Sequence, residues 1–575
     1  MADDSRREAP HHTPAESWRS AQVAAAHRMV GLRELIPRPR DYRGLGKTWP
    51  KDLIAGLTVG VVALPLALGF GVASGAGAAA GMVTAVIAGI VAAVFGGSHL
   101  QVSGPTGAMT VVLLPVIAQH GIAAVPLLAI MAGAIVVLSA VAGLGRAVDL
   151  IPVPVVEGFT MGIGVIIAIQ QVPLLLGAPA VKHESTVVSS WRTALAADWS
   201  RAWAPLLIAG LVLVIATVLT RYAKRWPAAL IAIVVATLVV EATGLDVDRI
   251  GALPSGLPGP ALPDMSWGLL QQLAPAALAI AALAALESLL SARVADGMAP
   301  HIPRTKPNRE LFGQGLANIA SGFFGGLPAT GAIARTAVNV RSGGRTRLAA
   351  ISHAVFLLIV MMLLAPVVSR IPLAALAGVL VATASRMINI GLAGSLLRST
   401  RADRNTFLLT VICTVALDLI AAVLLGVLMA GVMSIRHMAS YTVVRRQSLP
   451  ADTQHGLVDI PEDAEWLRPR LGLVRVDGAL FYANARRFIR EVTAKKTDAV
   501  IIRCHRLQVM DASGTFALKE AVEELERRGQ VVIVQGMTDS QLRTATVLGA
   551  IRPEQHVPQL RDAIDAARQA LTPLA

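Results

Sequence analysis

From Asp52 to about Met438 the chain alternates long apolar runs with short loops rich in Gly, Pro and Arg. The apolar runs fall at 52–71, 78–95, 123–143, 151–171, 203–221, 226–243, 271–293, 311–324, 347–369, 373–390, 403–420 and 421–438. Most reach the roughly 20 residues an α-helix needs to cross a bilayer. Two further segments are too short and too broken by Gly and Pro to span. They are Ser103-Gly104-Pro105-Thr106, running into an apolar stretch to about Ile117, and Pro328-Ala329-Thr330-Gly331, running to about Val340. One lies in each half of the hydrophobic region, the arrangement that points to internal repeats with a site near the midplane. The pattern therefore predicts a polytopic α-helical membrane protein of fourteen segments, seven per half.

Beyond about Tyr441 the pattern changes. Leu471–Val476 alternates like a strand, and 499–503 and 531–534 are short buried-strand candidates. Between and after them, 513–528, 541–548 and 560–571 read as amphipathic helices. Strands alternating with helices indicate a small soluble α/β domain. The expected organisation is a polar, basic N-terminal segment at 1–48, a transmembrane domain at 49–440, a linker at 441–470 and the α/β domain at 471–575. A short amphipathic surface helix is conceivable over 16–35, behind a disordered tail. No apolar run with a small-residue cleavage site follows the first Met, so no secretory signal is expected.

Composition agrees with the pattern. Of 575 residues, 54% are hydrophobic and 15% charged, with a mean hydropathy of +0.61; soluble domains carry roughly 25% charged residues. Fifty glycines and few aromatics favour closely packed helices over a transmembrane β-barrel. The net charge of +14 does not require nucleic acid. With a cytoplasmic N-terminus, the inside connections carry Arg146; Arg221, Lys224 and Arg225; Arg293, Arg304, Lys306 and Arg309; Arg341, Arg345 and Arg347; and Arg398, Arg401 and Arg404. The outside connections carry only Lys182, Arg192, Arg201, Arg249 and Arg370, so both termini are expected in the cytoplasm. Cys413 and Cys504 read as buried, reduced thiols.

Candidate chemistry begins at the broken segments. A half-helix that starts in mid-membrane leaves its first N–H groups unpaired and places roughly half a positive charge there. Two such starts, Ser103-Gly104-Pro105-Thr106 and Thr330-Gly331-Ala332-Ile333, would make an anion site. Glu287 lies inside the apolar run Leu283–Ser291, where a carboxylate marks a functional site by default, held by a proton, a cation or a metal ion. Arg335 lies one turn into the second half-helix, and a Glu287–Arg335 pair would be a proton-sensitive element beside the anion. Asp418 and Glu157 read as structural residues near span ends. Phe70, after the kinking Pro65, is a candidate pocket wall, and Gly158 and Gly162 a helix-packing face. Gly44–Thr48 ends like a phosphate-binding loop, but Asp41 stands where its first glycine belongs and no strand precedes it, which excludes nucleotide binding. The histidines show no metal-ligand spacing. No cofactor, metal site or enzyme activity is expected.

These residues fall into an ordered set. The set runs Asp52-x-x-Ala-Gly-x-Thr-Val-Gly60, Leu64-Pro65, Gly96-Gly97-Ser98 leading to Ser103–Thr106, and Pro154-x-x-Glu-Gly-Phe159. It continues with Glu287–Asp296, Gly313–Asn318, Arg335–Asn339 and Ser342–Thr346. In that order and spacing the chain, over about 45–570, resembles the SulP (sulfate permease) family, bacterial relatives of solute carrier family 26. Leu480–Asn484 and Asp511–Gly514 resemble a STAS domain. The resemblance implies a seven-plus-seven inverted repeat divided into core and gate domains, an elevator-like movement and a homodimer in the bacterial inner membrane. It places the anion at Phe70, Ser103, Gly104, Pro105, Thr106, Gly331, Ala332, Ile333 and Arg335, with Glu287, Ser291 and Arg335 in coupling. It implies a regulatory STAS domain, in which Ser513 matches a phosphorylated serine and Asp511 or Ser513 could simply cap a helix.

Two departures bear on the substrate. Many members carry Gln after the first-span proline, where this chain has Leu66. The stretches 64–75 and 103–110 look like the family's bicarbonate transporters, but these have Asp at the Glu287 position and use sodium, which Arg335 would repel. The resulting expectation is secondary transport of sulfate or a similar oxyanion with protons. Bicarbonate transport, with sodium or uncoupled, is the alternative. An anion sensor acting through the STAS domain and a nucleobase permease are the readings from other classes.

Overall fold

The computed structural model describes residues 32–42, 44–146, 152–181, 185–223, 226–416, 425–435, 443–447, 466–494 and 496–572. Among the described residues, and setting aside four short connecting helices (Val172–Leu176, Thr186–Ala196, Ala365–Val368 and Ile390–Leu397), the first half of the hydrophobic region has α1 Leu45–Ala73, α2 Ala78–Phe95, α3 Gly107–His120, α4 Ala124–Val141, α5 Val153–Gln170, α6 Trp199–Tyr222 and α7 Ala228–Thr243. The second half repeats the count: α8 Trp267–Met298, α9 Pro307–Phe323, α10 Ile333–Arg341, α11 Arg347–Leu363, α12 Leu373–Met387, α13 Arg401–Ala416 and α14 Leu425–Ile435. Two-residue strands precede the short helices, β1 Ser103–Gly104 before α3 and β2 Thr330–Gly331 before α10. At nine residues, α10 rises only about 14 Å, less than half of a hydrocarbon core.

The helices sort into two bundles. One contains α1 to α4 with α8 to α11, its tightest pairings being α4 with α9, α1 with α11 and α2 with α9. The other contains α5 to α7 with α12 and α13, in which α5 meets both α12 and α13. Small residues make these approaches possible. A Cβ on Gly133 would lie 2.6 Å from the Gly315 carbonyl oxygen, and one on Gly315 would lie 2.7 Å from that of Gly133. Gly158 and Gly162 likewise face α13, at the Phe407 carbonyl and the Thr410 and Thr414 side chains. These contacts leave no room for a side chain, so backbones pack directly on one another.

The polar loops of the first bundle gather at one end. Asp52 Oδ1 accepts the N–H groups of Arg345 and Thr346 at 2.7 and 3.0 Å, joining the start of α1 to that of α11. Arg309 at the start of α9 donates to Asp41 at 2.6 Å, and Tyr42 donates to the Val94 carbonyl at the end of α2. Two expectations are revised. The connection before α6 contains an amphipathic helix, Thr186–Ala196, that the loop composition hid. The run expected at 311–324 starts four residues earlier, because Pro307 suits the first helical turn. Asp418, Lys182, Lys224, Arg225 and most of 1–35 lie outside the described residues.

The C-terminal unit is an α/β sandwich. Its strands β3 Val443–Gln447, β4 Leu471–Leu480, β5 Ala499–Met510, β6 Val531–Gln535 and β7 His556–Val557 form one sheet in that order. The first pair is antiparallel and the other three are parallel. Alternation along the strands feeds two cores. Val474, Ile502 and Val534 pack with Phe488 of helix Ala485–Val492 and with Leu518 and Leu525 of helix Ala512–Arg527. Leu473, Ile501 and Ile533 pack with Ile564 of helix Leu560–Leu571. The strand Val443–Gln447 corrects the expected 441–470 linker, whose first part is an edge strand of the sheet. Its backbone pairs across the sheet with Leu473–Asp477. A strand at the edge needs no apolar run to be recognised by its neighbour, so the sequence signal was weak.

Two outcomes follow. Gly315→Leu should lower the thermal unfolding midpoint of the purified protein by the equivalent of roughly 1–3 kcal/mol, the usual range for overpacking, whereas Gly210→Leu, where nothing lies within 4 Å, should leave it nearly unchanged. Burial pushes the Cys504 thiol up to about 12. At pH 7.5 a maleimide should therefore label Cys504 only after unfolding, which mass spectrometry of native and denatured samples would register.

Candidate functional site

The two broken segments meet. β1 and β2 pair antiparallel, with Ser103 opposite Gly331 and Gly104 opposite Thr330, and the Ala332 N–H donates to the Val102 carbonyl at 2.9 Å. Extended backbone in the hydrocarbon must find partners inside the protein, and here each segment supplies them to the other. The two helices that follow start uncapped: neither Thr106 before α3 nor Ala332 before α10 bonds the first turn with its side chain. The first-turn N–H groups of Gly107 and Ile333 and their neighbours are thus left without side-chain caps.

Further partners come from α9. Glu310, Gln314 and Asn318 stand four residues apart on one buried face. Glu310 Oε2 accepts the N–H groups of Gly97 and Ser98, each at 2.7 Å. Gln314 donates to the Ser103 hydroxyl at 2.6 Å. Asn318 donates to the Ala329 carbonyl at 2.9 Å and accepts its N–H at 2.8 Å. Ser103 is thereby turned toward α9. Gln314 and Asn318 entered the sequence analysis only within the Gly313–Asn318 motif, and Glu310, just before the expected span, did not enter it. Their i, i+4, i+8 spacing of amide and carboxyl side chains was the available signal.

Glu287, on α8, touches both halves. Its Oε2 accepts the Thr106 hydroxyl at 2.9 Å and the Thr330 hydroxyl at 3.1 Å. Ser288, the next residue, accepts the Gly331 N–H at 2.9 Å. Ser291 donates to Thr336 at 3.0 Å, and Thr336 accepts the Val102 N–H at 3.1 Å. Thr330 was expected at the start of the second half-helix, and Ser288 and Thr336 only as members of the Glu287–Asp296 and Arg335–Asn339 motifs; the bonds their hydroxyls make were not foreseen, since hydroxyls are common in apolar helices.

The expected Glu287–Arg335 ion pair is not formed. Arg335 is 1% exposed, and its Nη2 donates to the Pro105 carbonyl at 2.6 Å, at the approach to α3. Its Nη1 has no partner and lies where a Cβ on Gly104 would sit. The arginine therefore holds the opposite half's backbone, and glycine at 104 makes room for it. Gly331 similarly faces the amide of Gln101, which is buried with neither of its polar atoms hydrogen-bonded. Phe70 is buried with its ring edge toward Gly107, where Ile167 of α5 also closes in. Ala332 is buried, whereas Ile333 is 38% exposed at the start of α10. Glu157 is half-buried in the early turns of α5. In the C-terminal unit Asp511 caps helix Ala512–Arg527 by accepting the Gly514 N–H at 2.7 Å, and Ser513 is exposed in its first turn.

Residues 50–410 match the model of the sulfate permease family, and 467–563 match the STAS domain. The "Putative sulfate transporter YvdB" of Bacillus subtilis (strain 168) is 35% identical over 85% of this chain and 91% of its own length. The "Bicarbonate transporter BicA" of Synechocystis sp. is 33% identical over 87% and 90%. The solved structure of SLC26A9 superposes with a TM-score of 0.77 over 99% of this chain and 98% of its own, at 15% identity, and thus shares the fold. The chain belongs to the sulfate permease family. It is a multi-pass membrane transporter with a C-terminal STAS domain, and its relatives are transporters, not enzymes.

The Arg335 contact yields a test. Arg335→Met leaves the buried Pro105 carbonyl without its donor, and Gly104→Ala drives a methyl group into the guanidinium. Each should destabilise the protein by roughly 1–3 kcal/mol. Because both break one contact, the double variant should unfold at about the same temperature as Arg335→Met alone; additive losses would show that the contact is not shared.

Proposed function

We propose that this chain is a secondary active transporter of a small inorganic oxyanion, with sulfate the foremost candidate and the proton as coupling ion. The supporting observation is that the carboxylate of Glu287 occupies the hydroxyls of Thr106 and Thr330, one from each half-helix approach. An anion docking on the two uncapped helix starts needs those same donors and is repelled by the same charge. Protonation of Glu287 removes the charge and frees the hydroxyls to turn toward the anion. Anion and proton then enter together, one for one at this carboxylate. Phe70 and the Ser103–Thr106 and Gly331–Arg335 turns form the anion site, and Arg335 adds its positive field from behind β1. Glu287 carries the proton, with Ser291 and Arg335 positioning the elements around it.

The transport cycle in this reading is elevator-like: the bundle holding both half-helices carries the anion past the other bundle. The N-terminus and the STAS domain face the cytoplasm of a bacterial cell, by the bias of basic loops, and the protein works as a homodimer. Sodium-driven bicarbonate uptake is the second reading. It is favoured by the likeness to BicA and by the missing Glu287–Arg335 pair, since a carboxylate without a bound arginine does not exclude a cation.

Labelled sulfate uptake into proteoliposomes, with an inward proton gradient, a sodium gradient or neither, separates the readings. Proton-driven sulfate uptake is expected, with apparent affinity falling as pH rises. In Glu287→Gln uptake should persist under a sulfate gradient but lose its response to pH. Unchanged pH dependence in that variant would remove Glu287 from coupling, and bicarbonate flux under a sodium gradient without sulfate uptake would support the second reading.

A further inference from the structure

At the end of the first bundle where α9 begins, a cavity of about 370 Å³ lies apart from the half-helix crossing. Among the described residues, Arg38, Arg146, Lys306 and Arg309 line it, against one lining carboxylate, Glu34. Arg309 is only 2% exposed; its Nη1 pairs with Asp41 at 2.6 Å, while its Nε and Nη2 carry no hydrogen bond. Lys306 is 60% exposed, and its only ion pair among the described residues is the longer 3.7 Å contact with the same Asp41. Arg146 forms no ion pair with any described residue. The start of α9 has no side-chain cap, so the helix adds its partial positive charge here. Burial raises the pKa of Asp41, but the Arg38 N–H, Arg309 and Lys306 outweigh it and hold the carboxyl below its usual range, which reports the positive field.

The lip of the cavity has one open apolar side chain: Ile36 lines it and is 54% exposed, whereas Leu35, which also lines it, is fully buried. A basic pocket between helix ends with an apolar lip suits a ligand that has a phosphate and is tethered to a hydrocarbon chain. We propose that this cavity binds a phosphate-bearing anion, seated on Arg309 and closed by Arg146 and Lys306, and separate from the transported anion. The same chemistry is offered by an anionic lipid headgroup and by free phosphate. The lip favours the lipid, whose occupancy would brace residues 34–42 against α9.

The test uses the full chain, purified and delipidated in detergent. Its thermal unfolding midpoint is followed against phosphatidylglycerol, phosphatidylcholine or inorganic phosphate at constant ionic strength, and retained lipid is counted by native mass spectrometry. Phosphatidylglycerol should raise the midpoint and phosphatidylcholine should not. The double variant Arg146→Gln/Lys306→Gln, which alters two accessible side chains, should need about thirtyfold more phosphatidylglycerol for the same rise, from roughly 1 kcal/mol per basic residue. The control Arg398→Gln/Arg401→Gln removes equal charge elsewhere and should respond like the parent. A rise with inorganic phosphate alone, lost in the first variant, upholds the site with a soluble ligand. No rise with either probe, or equal loss in both variants, or none in the first, overturns the proposal.

Discussion

Backbone that is neither helix nor sheet cannot lie unpaired in hydrocarbon, and this rule shapes the first bundle. Two breaks in the helical ladder, one per half, have to be closed by something. The protein closes them with two residues of antiparallel strand and with the ladder of Glu310, Gln314 and Asn318 on α9. That ladder has to be buried and polar at once, so α9 cannot face lipid. The tight glycine contact between α9 and α4 follows from the need to surround it. The positions of α2, α4 and α9 are consequences of keeping two unwound turns satisfied.

The same economy divides the charged groups. The arginine and the carboxylate near the crossing do not neutralise each other. Arg335 is committed to a carbonyl of the opposite half, where its loss would leave a buried acceptor stranded. Glu287 is held only by hydroxyls, which can donate elsewhere after small rotations. One charge is fixed into the scaffold, and the other is free to exchange partners. A site that must take up and release an ion needs that asymmetry, because a direct ion pair would have to be broken in each turnover, at several kcal/mol in a dry environment.

Much of this was legible in the sequence. Fourteen segments, the two interruptions, the glycine face of α5 and the α/β character of the end of the chain all follow from periodicity and from Gly and Pro. The partners of Arg335 and Glu287 did not. Both were marked by their places in apolar or broken segments, but Arg335 bonds Pro105 in the other half, while Glu287 bonds Thr106 in the other half and Thr330 in its own, and spacing along the chain does not say which of these meet. The α9 ladder was obscured for a related reason: 311–324 read as a membrane span, and the partners that make its polar residues a buried scaffold lie more than 200 positions away for Glu310 and Gln314. The edge strand Val443–Gln447 was masked by its charged residues, since only register with Leu473–Asp477 identifies it.

The crossing also sets a timetable for biosynthesis. Pro105 is bonded by Arg335, 230 positions further along the chain. At roughly 5–20 residues per second a ribosome takes on the order of ten to fifty seconds to make that interval. Throughout it the first interruption has been delivered to the membrane while its partner strand, its arginine and the α9 ladder do not yet exist. The first half must wait with open backbone valences, sheltered by the insertion machinery or kept near the water interface. Its final depth in the bilayer is therefore decided late, by the arrival of residues that the ribosome has yet to translate.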